Sequence, residues 1–232
     1  MNLLKLEHVS TGYGKKQVLF DISFIMQNNE TVLLIGSNGS GKSTLLKTIY
    51  GLLKPWNKDA RIWLKDENIT FCEPSQLITK GIVYVPQQNE LFEDLTVKEN
   101  LELSGMQTMT KGKRNNRIDE ILEQIPALKA LLKQECNRLS GGERKLLSLA
   151  MALINQPKLI MLDEPLAGVS PGNMDIIIHH INNIRKSGIS LILVEHRLKD
   201  IFDLADRVIG LKLGKVFEED IENIVDTKKV ML

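Results

Sequence analysis

The chain has 232 residues, 43% of them hydrophobic and 25% charged, with a formal net charge of +1. That length fits one large domain or two small ones, and the apolar fraction is ample for a packed core with no sign of disorder. The balanced charge argues against a nucleic-acid binder or a basic membrane-surface protein, and Cys72 and Cys136, which lack metal-type spacing, read as reduced thiols in a cytosolic protein.

Residues 1–10 set Lys5, Glu7 and His8 among apolar residues, a strand alternation and not a signal peptide. Residues 3–9 and 18–25 read as amphipathic strands of an antiparallel pair, with Gly12 and Gly14 marking the turn. Residues 31–35 are a short apolar run ending in a glycine-rich turn, and 42–50 have helical character. Strand, loop and helix in that order open a parallel sheet. Residues 61–64 read as a further edge strand after the stop at Pro55, and 82–85 as a buried strand closed by Pro86. From 96 to about 153 the pattern is helical, broken by Gly105, by a polar basic stretch at 111–117 and by Pro126. Strands return at 159–162, 189–194 and 208–211, separated by helical runs at 174–186 and 198–205. The longest apolar runs, 159–162 and 189–194, are far too short to cross a bilayer. Any membrane-spanning part is therefore expected on another chain.

Gly36-Ser37-Asn38-Gly39-Ser40-Gly41-Lys42-Ser43-Thr44 follows the phosphate-loop pattern of glycine, four residues and Gly-Lys-Ser/Thr, between a strand and a helix. Glycines let the backbone curl so that successive N–H groups face phosphate oxygens, and the helix N-terminus adds partial positive charge. Lys42 is expected to reach the β- and γ-phosphates of ATP, and the Ser43 hydroxyl to ligate Mg²⁺. A chance glycine-rich turn would lack both flanking elements. The expected fold is therefore α/β: a P-loop NTPase core, a mostly parallel sheet flanked by helices, with an N-terminal antiparallel β part and an all-helical insertion. It forms one domain over 1–232, with the helical part at about 89–155.

Four apolar residues at 159–162 run into Asp163 and Glu164. The carboxyl end of a buried strand is where ligands bind in such sheets, which puts Asp163 beside Mg²⁺ and Glu164 towards the attacking water as its base or orienter. Leu139-Ser140-Gly141-Gly142-Glu143 stands far from the phosphate loop, at the start of a long helix. By itself it reads equally as a second phosphate-binding turn or as an ordinary N-cap, with Ser140 capping and Glu143 completing a capping box.

Together these motifs resemble the ATP-binding-cassette family. Ser140-Gly141-Gly142-Glu143 after Leu139 is similar to the family signature, which usually ends in Gln. In the same resemblance Tyr13 matches the aromatic that stacks on adenine, and Gly36 to Thr44 the phosphate loop. Gln87, after Val85-Pro86, matches the glutamine that senses Mg²⁺ and the γ-phosphate, with the adjacent Gln88 as the other choice. Asp163 and Glu164 match the Walker B pair, and His196 the switch histidine. The resemblance runs from about residue 3 to 216. His179 and His180, within an otherwise apolar helix, are assigned no chemistry.

The chain departs from the family after Pro165, where Leu166-Ala167-Gly168-Val169-Ser170-Pro171 puts Ser170 at the position of an aspartate that links two sites across a dimer. This variant resembles the ATPases of branched-chain amino acid importers and of lipopolysaccharide transport. Residues 81–101 also resemble the importer group, though Pro86-Gln87-Gln88 replaces the Pro-Glu-Gly often found there.

The resemblance implies an ATPase that works as a head-to-tail homodimer or heterodimer with another such subunit. Two ATP molecules are sandwiched so that each phosphate loop faces the Ser140–Glu143 turn of the other copy. It further implies separate transmembrane permease subunits, no nucleic-acid partner, and a cytoplasmic position on the inner face of the membrane. The helical insertion and the segment from Gln87 to Leu101, with Leu91, Phe92 and Leu95 in a loop, are the expected docking surface. Two other readings stand beside this one. A non-transport ATPase of the superfamily, acting on another protein, would carry a long coiled coil, and no sustained heptads occur here. A module that holds nucleotide without turnover would be expected to lose Glu164.

Overall fold

The computed structural model describes residues 1–88, 91–195 and 198–218. The elements in chain order are β1 (Asn2–Tyr13), β2 (Lys16–Gln27), β3 (Thr31–Ile35), α1 (Lys42–Ile49), β4 (Arg61–Leu64), β5 (Glu67–Asn68), α2 (Pro74–Lys80), β6 (Ile82–Val85), α3 (Val97–Ser104) and α4 (Lys111–Gln124). Two short 3₁₀ turns follow, Pro126–Leu131 and Cys136–Arg138, then α5 (Gly141–Ile154), β7 (Leu159–Asp163), α6 (Pro171–Lys186), β8 (Ser190–Val194), α7 (Leu198–Ile201), a 3₁₀ turn at Phe202–Leu204, β9 (Arg207–Lys212) and β10 (Lys215–Glu218). Among the described residues no helix is long and apolar enough to cross a membrane. The chain divides into two compact units, Met1–Leu77 with Ser190–Leu232, and Ile78–Ile189.

The first unit holds two sheets. One is antiparallel with strand order β2-β1-β4-β5, and its buried face is lined by Leu4, Leu6, Leu19, Ile22 and Met26. The long β1–β2 pair carries several register shifts, and His8 and Asp21 both take a left-handed backbone there. They meet through Nδ1 and Oδ1 at 2.9 Å. Gly14 (φ +57) turns the chain between the two strands, a conformation glycine adopts at no steric cost. Arg61–Leu64 is not an edge: it pairs with β1 on one side and with the two-residue β5 on the other.

In the other sheet of this unit β3 pairs in parallel with β8 and β9, and β10 adds antiparallel to β9. Residues 31–34 and 190–194 are buried without alternation, as parallel strands covered on both faces require. Asp206 accepts from the Thr31 amide at 2.8 Å, and the Ser190 hydroxyl from the Asn29 amide at 2.8 Å, which satisfies loop donors beside these strands.

In the second unit β6 and β7 run parallel, with Ile82 opposite Leu159 and Val85 opposite Leu162. Between them in sequence lie α3, α4 and α5. Helix α5 packs against α3, α4, α6 and β6 and buries almost its whole circumference, from Lys145 to Ile154, as a central helix does. The polar stretch 111–117 does not interrupt helicity; it is the first half of α4. Its apolar residues Ile118, Ile121 and Leu122 follow at helical spacing and carry the helix into the core. The compact unit holding these helices also includes β6, β7 and α6.

The loop entering α3 is pinned by buried Asn100, whose Oδ1 accepts from the Phe92 amide at 2.9 Å and whose Nδ2 donates to the Phe92 and Thr96 carbonyls at 3.1 and 3.0 Å. Thr96 and Glu99 form a reciprocal capping box on α3. Of the three apolar residues expected to face outward here, Leu91 is in the core, Leu95 is half-buried, and Phe92 is exposed. The loop must fold back so that Asn100 can satisfy it, and that turns Leu91 inward.

Candidate functional site

The phosphate loop belongs to the first unit. Its curl follows from three positions where the backbone is left-handed or too close to a neighbour for a side chain. A Cβ on Gly36 would lie 2.2 Å from the Leu211 carbonyl oxygen, Gly39 has φ +77, and a Cβ on Gly41 (φ +109) would meet Leu19 Cδ2 at 2.7 Å. Gly41 is the N-cap of α1 and makes no side-chain cap, so backbone amides of that first turn face the loop. Lys42 is almost fully buried; its Nζ donates to the carbonyls of Gly36 at 2.7 Å and Ser37 at 3.2 Å. Ser40 Oγ is buried and has no hydrogen-bond partner among the described residues. A hydroxyl in that position loses its solvation unless a ligand supplies a partner. A tight backbone cradle, an ammonium folded over it and an orphaned hydroxyl fit an anionic phosphate chain. Ser37, Asn38, Ser43 and Thr44 lie in the same loop and first helical turn. Tyr13 ends β1 opposite Lys16 and exposes 46% of its surface, which leaves its ring face open for stacking.

The second unit carries the carboxylates. Asp163 is the last residue of β7 and is buried. Its Oδ2 accepts from the Tyr84 hydroxyl at 3.0 Å. Glu164 follows in a left-handed conformation, φ +53, which costs a non-glycine residue about 1 kcal/mol or more and persists only where its surroundings hold it. The reversal is closed by the Ala167 amide donating to the Glu164 carbonyl at 3.1 Å. Gln87 Nε2 donates to Glu164 Oε2 at 2.5 Å. The glutamine and the second acid thus meet directly, with Gln87 and not Gln88 making the contact.

The Ser140–Glu143 turn lies in the same unit. Ser140 is the exposed N-cap of α5, and the capping box is complete. Glu143 Oε2 accepts from both the amide and the hydroxyl of Ser140 at 2.8 Å. A Cβ on Gly141 would lie 2.6 Å from the Gly168 carbonyl oxygen, and one on Gly142 would lie 3.2 Å from Asn173 Nδ2. The glycines therefore let the turn seat against the 166–173 segment. Ser170 caps α6 by position, without a side-chain cap hydrogen bond. His196 lies outside the described residues.

Two residues near these groups escaped the sequence reading. Tyr84 stands within a run that reads only as a buried strand, and its hydroxyl becomes informative once β6 is paired with β7. Lys145 stands in an amphipathic helix where a lysine is expected on the wet face. It is instead 5% exposed, with Nζ donating to the Gln87 carbonyl at 2.9 Å. A lysine placed among the buried positions 146, 147, 149 and 150 of the helix was the available signal.

The family model described as ABC transporter matches residues 19–167. The chain is 37% identical over 218 residues to the high-affinity branched-chain amino acid transport ATP-binding protein BraG of Pseudomonas aeruginosa, covering 94% of this chain and 92% of that protein. It is 32% identical to the lipopolysaccharide export system ATP-binding protein LptB of Haemophilus influenzae, covering 100% of this chain and 98% of that one. A nucleotide-free ATP-binding cassette from an ABC transporter superposes with a TM-score of 0.87 at 30% identity, over 100% of this chain and 98% of that chain. A dimeric cassette in a post-hydrolysis state with ADP and Pi superposes at 0.81 with 27% identity, over 94% and 99%. The chain belongs to the ABC transporter family. It is an ATP-binding, ATP-hydrolysing cassette with the α/β fold of that family.

Proposed function

We propose that this cassette works as one half of a nucleotide clamp that drives transport of branched-chain amino acids through separate membrane subunits. The observation that carries the cargo class is the near full-length similarity to BraG. In this reading two copies, or this chain and a related subunit, associate head to tail at the cytoplasmic face of the membrane. Each phosphate loop then meets the Ser140–Glu143 turn of the other copy. The dimeric ADP- and Pi-bound relative supports such a pairing, and so does an exposed Ser140 at the N-terminus of the long helix α5.

In this reading Lys42 binds the β- and γ-phosphates, Tyr13 stacks on adenine, and the amides and hydroxyls from Gly36 to Thr44 hold the phosphate chain. Ser43, Gln87 and Asp163 are the proposed Mg²⁺ ligands, hard oxygen donors that leave room for phosphate oxygens. Bound there, Mg²⁺ would neutralise charge on the phosphate chain. Glu164 accepts the proton of the attacking water or orients it, and His196 is the proposed γ-phosphate contact. Gln87 and the helical part at about 89–155 face the membrane partner, with exposed Phe92 as an apolar contact.

The test is reconstitution of the cassette with its co-purifying membrane proteins in lipid vesicles. ATPase activity raised by leucine, isoleucine or valine supports the reading. Activity raised instead by a lipopolysaccharide moves the cargo to the class of LptB, the second reading the relatives favour. Failure to associate with any integral membrane protein contradicts a role in transport.

A further inference from the structure

Helix α5 begins at the capping box of Ser140 and Glu143, and Lys145 follows within its next turn, pointing the other way. Its side chain is buried. Nζ donates to the Gln87 carbonyl at 2.9 Å and lies 3.5 Å from the Glu164 carbonyl. The same two residues touch through their side chains, Gln87 Nε2 to Glu164 Oε2 at 2.5 Å. One ammonium therefore ties together the backbones of the pair whose side chains form the hydrolytic contact. The preceding Arg144 turns away to Glu93, 2.7 Å from its carboxylate.

Burying an ammonium is unfavourable against an apolar side chain of the same length, and is offset only by well-placed acceptors. A lysine suits this position because it presents three donors on one flexible stem to oxygens coming from different segments. Glu164 also needs such support, since its left-handed backbone is held only by its surroundings.

We propose that Lys145 is a positioning residue that couples the Ser140–Glu143 turn to the hydrolytic carboxylate of its own chain. Movement of the α5 N-terminus, when that turn engages a nucleotide held by another copy, is passed through Lys145 to the backbone of Gln87 and Glu164. The ammonium acts by setting where the Glu164 carboxylate lies. The inference rests on the reading of Glu164 as the group that activates water.

Steady-state ATPase of full-length Lys145→Met and Lys145→Arg tests it, with melting temperature and nucleotide binding measured alongside. Methionine keeps length and burial and removes every donor. K145M is expected to lower kcat by roughly tenfold, the worth of one charge-assisted hydrogen bond, while KM for ATP and the melting temperature hold. K145R, which keeps donors, is expected to recover much of the loss. An unchanged kcat in K145M overturns the proposal, and so does a fall in kcat that comes with an equal loss of nucleotide affinity and no recovery by arginine. If K145M does not fold, Lys145→Gln takes its place; its shorter stem and neutral amide remove the charge-assisted bonds, and a fall in kcat is again expected. Glu164→Gln run in parallel separates the two ideas. A fully active E164Q sinks the reading of Glu164, whereas an inactive E164Q beside a fully active K145M sinks only the role of Lys145.

Discussion

The side-chain amide of Gln87 reaches the carboxylate of Glu164 at 2.5 Å, and the register of two strands puts it there. Val85 stands opposite Leu162 in the parallel β6–β7 pair, so the chains leave the sheet side by side and Gln87 and Glu164 emerge at matching positions. A slip of one residue would face Gln87 with a different neighbour, because register sets which side chains share a face. The contact orients the carboxylate in the state described here, and in the proposed mechanism it loosens when Glu164 takes a water proton. Gln87→Ala is expected to lower kcat by about tenfold, a part of the roughly 10²–10⁴-fold that a positioned acid–base group contributes, with nucleotide affinity nearly unchanged. Turnover equal to the parent protein would remove Gln87 from the hydrolytic step.

Lys42 rests on the Gly36 and Ser37 carbonyls inside the loop, so its removal takes away the main positive charge of the cradle. Lys42→Ala is expected to abolish binding of a fluorescent ATP analogue at concentrations that saturate the parent. Retained affinity would show that phosphate is held elsewhere.

Tyr84 is the hydroxyl donor to buried Asp163 at 3.0 Å. Tyr84→Phe leaves that carboxylate without the bond, and hydrogen bonds to charged groups are worth about 1.5–3 kcal/mol. On the proposal that Asp163 ligates Mg²⁺, the variant should need a higher Mg²⁺ concentration for half-maximal ATPase activity. A titration curve that superposes on that of the parent would argue that the hydroxyl is only a packing detail.

Ser140 serves α5 as a cap whatever else it does, and its hydroxyl donates to Glu143 at 2.8 Å. Ser140→Ala should cost about 1 kcal/mol of stability, the usual worth of an N-cap. If the turn also binds nucleotide across the dimer, hydrolysis should fall further than that stability loss explains. Denaturant melts and kcat measured on the same preparation separate the two effects. A stability loss alone would leave Ser140 as a cap and nothing more.

Much of this was legible because the chemistry lies in contiguous stretches. The loop from Gly36 to Thr44, the apolar run into Asp163 and Glu164, and the Leu139-Ser140-Gly141-Gly142-Glu143 turn carry their spacing on their face. Their flanking strands and helices follow from apolar periodicity. What could not be read depends on contacts between distant segments. Tyr84 and Asp163, or Lys145 and the Gln87 carbonyl, become partners only through tertiary packing. The two-residue β5 and the four-residue β10 are too short to show a period, and α2 has one buried residue, Leu77, so no apolar stripe announces it. The 111–117 stretch looked like a break because its charges hide a helix that shows apolar spacing only from Ile118 onward. Leu91 was expected outside because sequence cannot show that Asn100 folds the preceding loop inward.

The central claim is a clamp in which two ATP molecules are closed between copies and Glu164 then releases them by hydrolysis. It is tested most directly by incubating Glu164→Gln with ATP and Mg²⁺ and measuring mass by light scattering together with phosphate release. The account predicts a stable dimer that retains ATP and releases almost no phosphate, while the same variant without ATP stays monomeric. Phosphate release at the rate of the unaltered chain, or a monomer at saturating ATP, would contradict it.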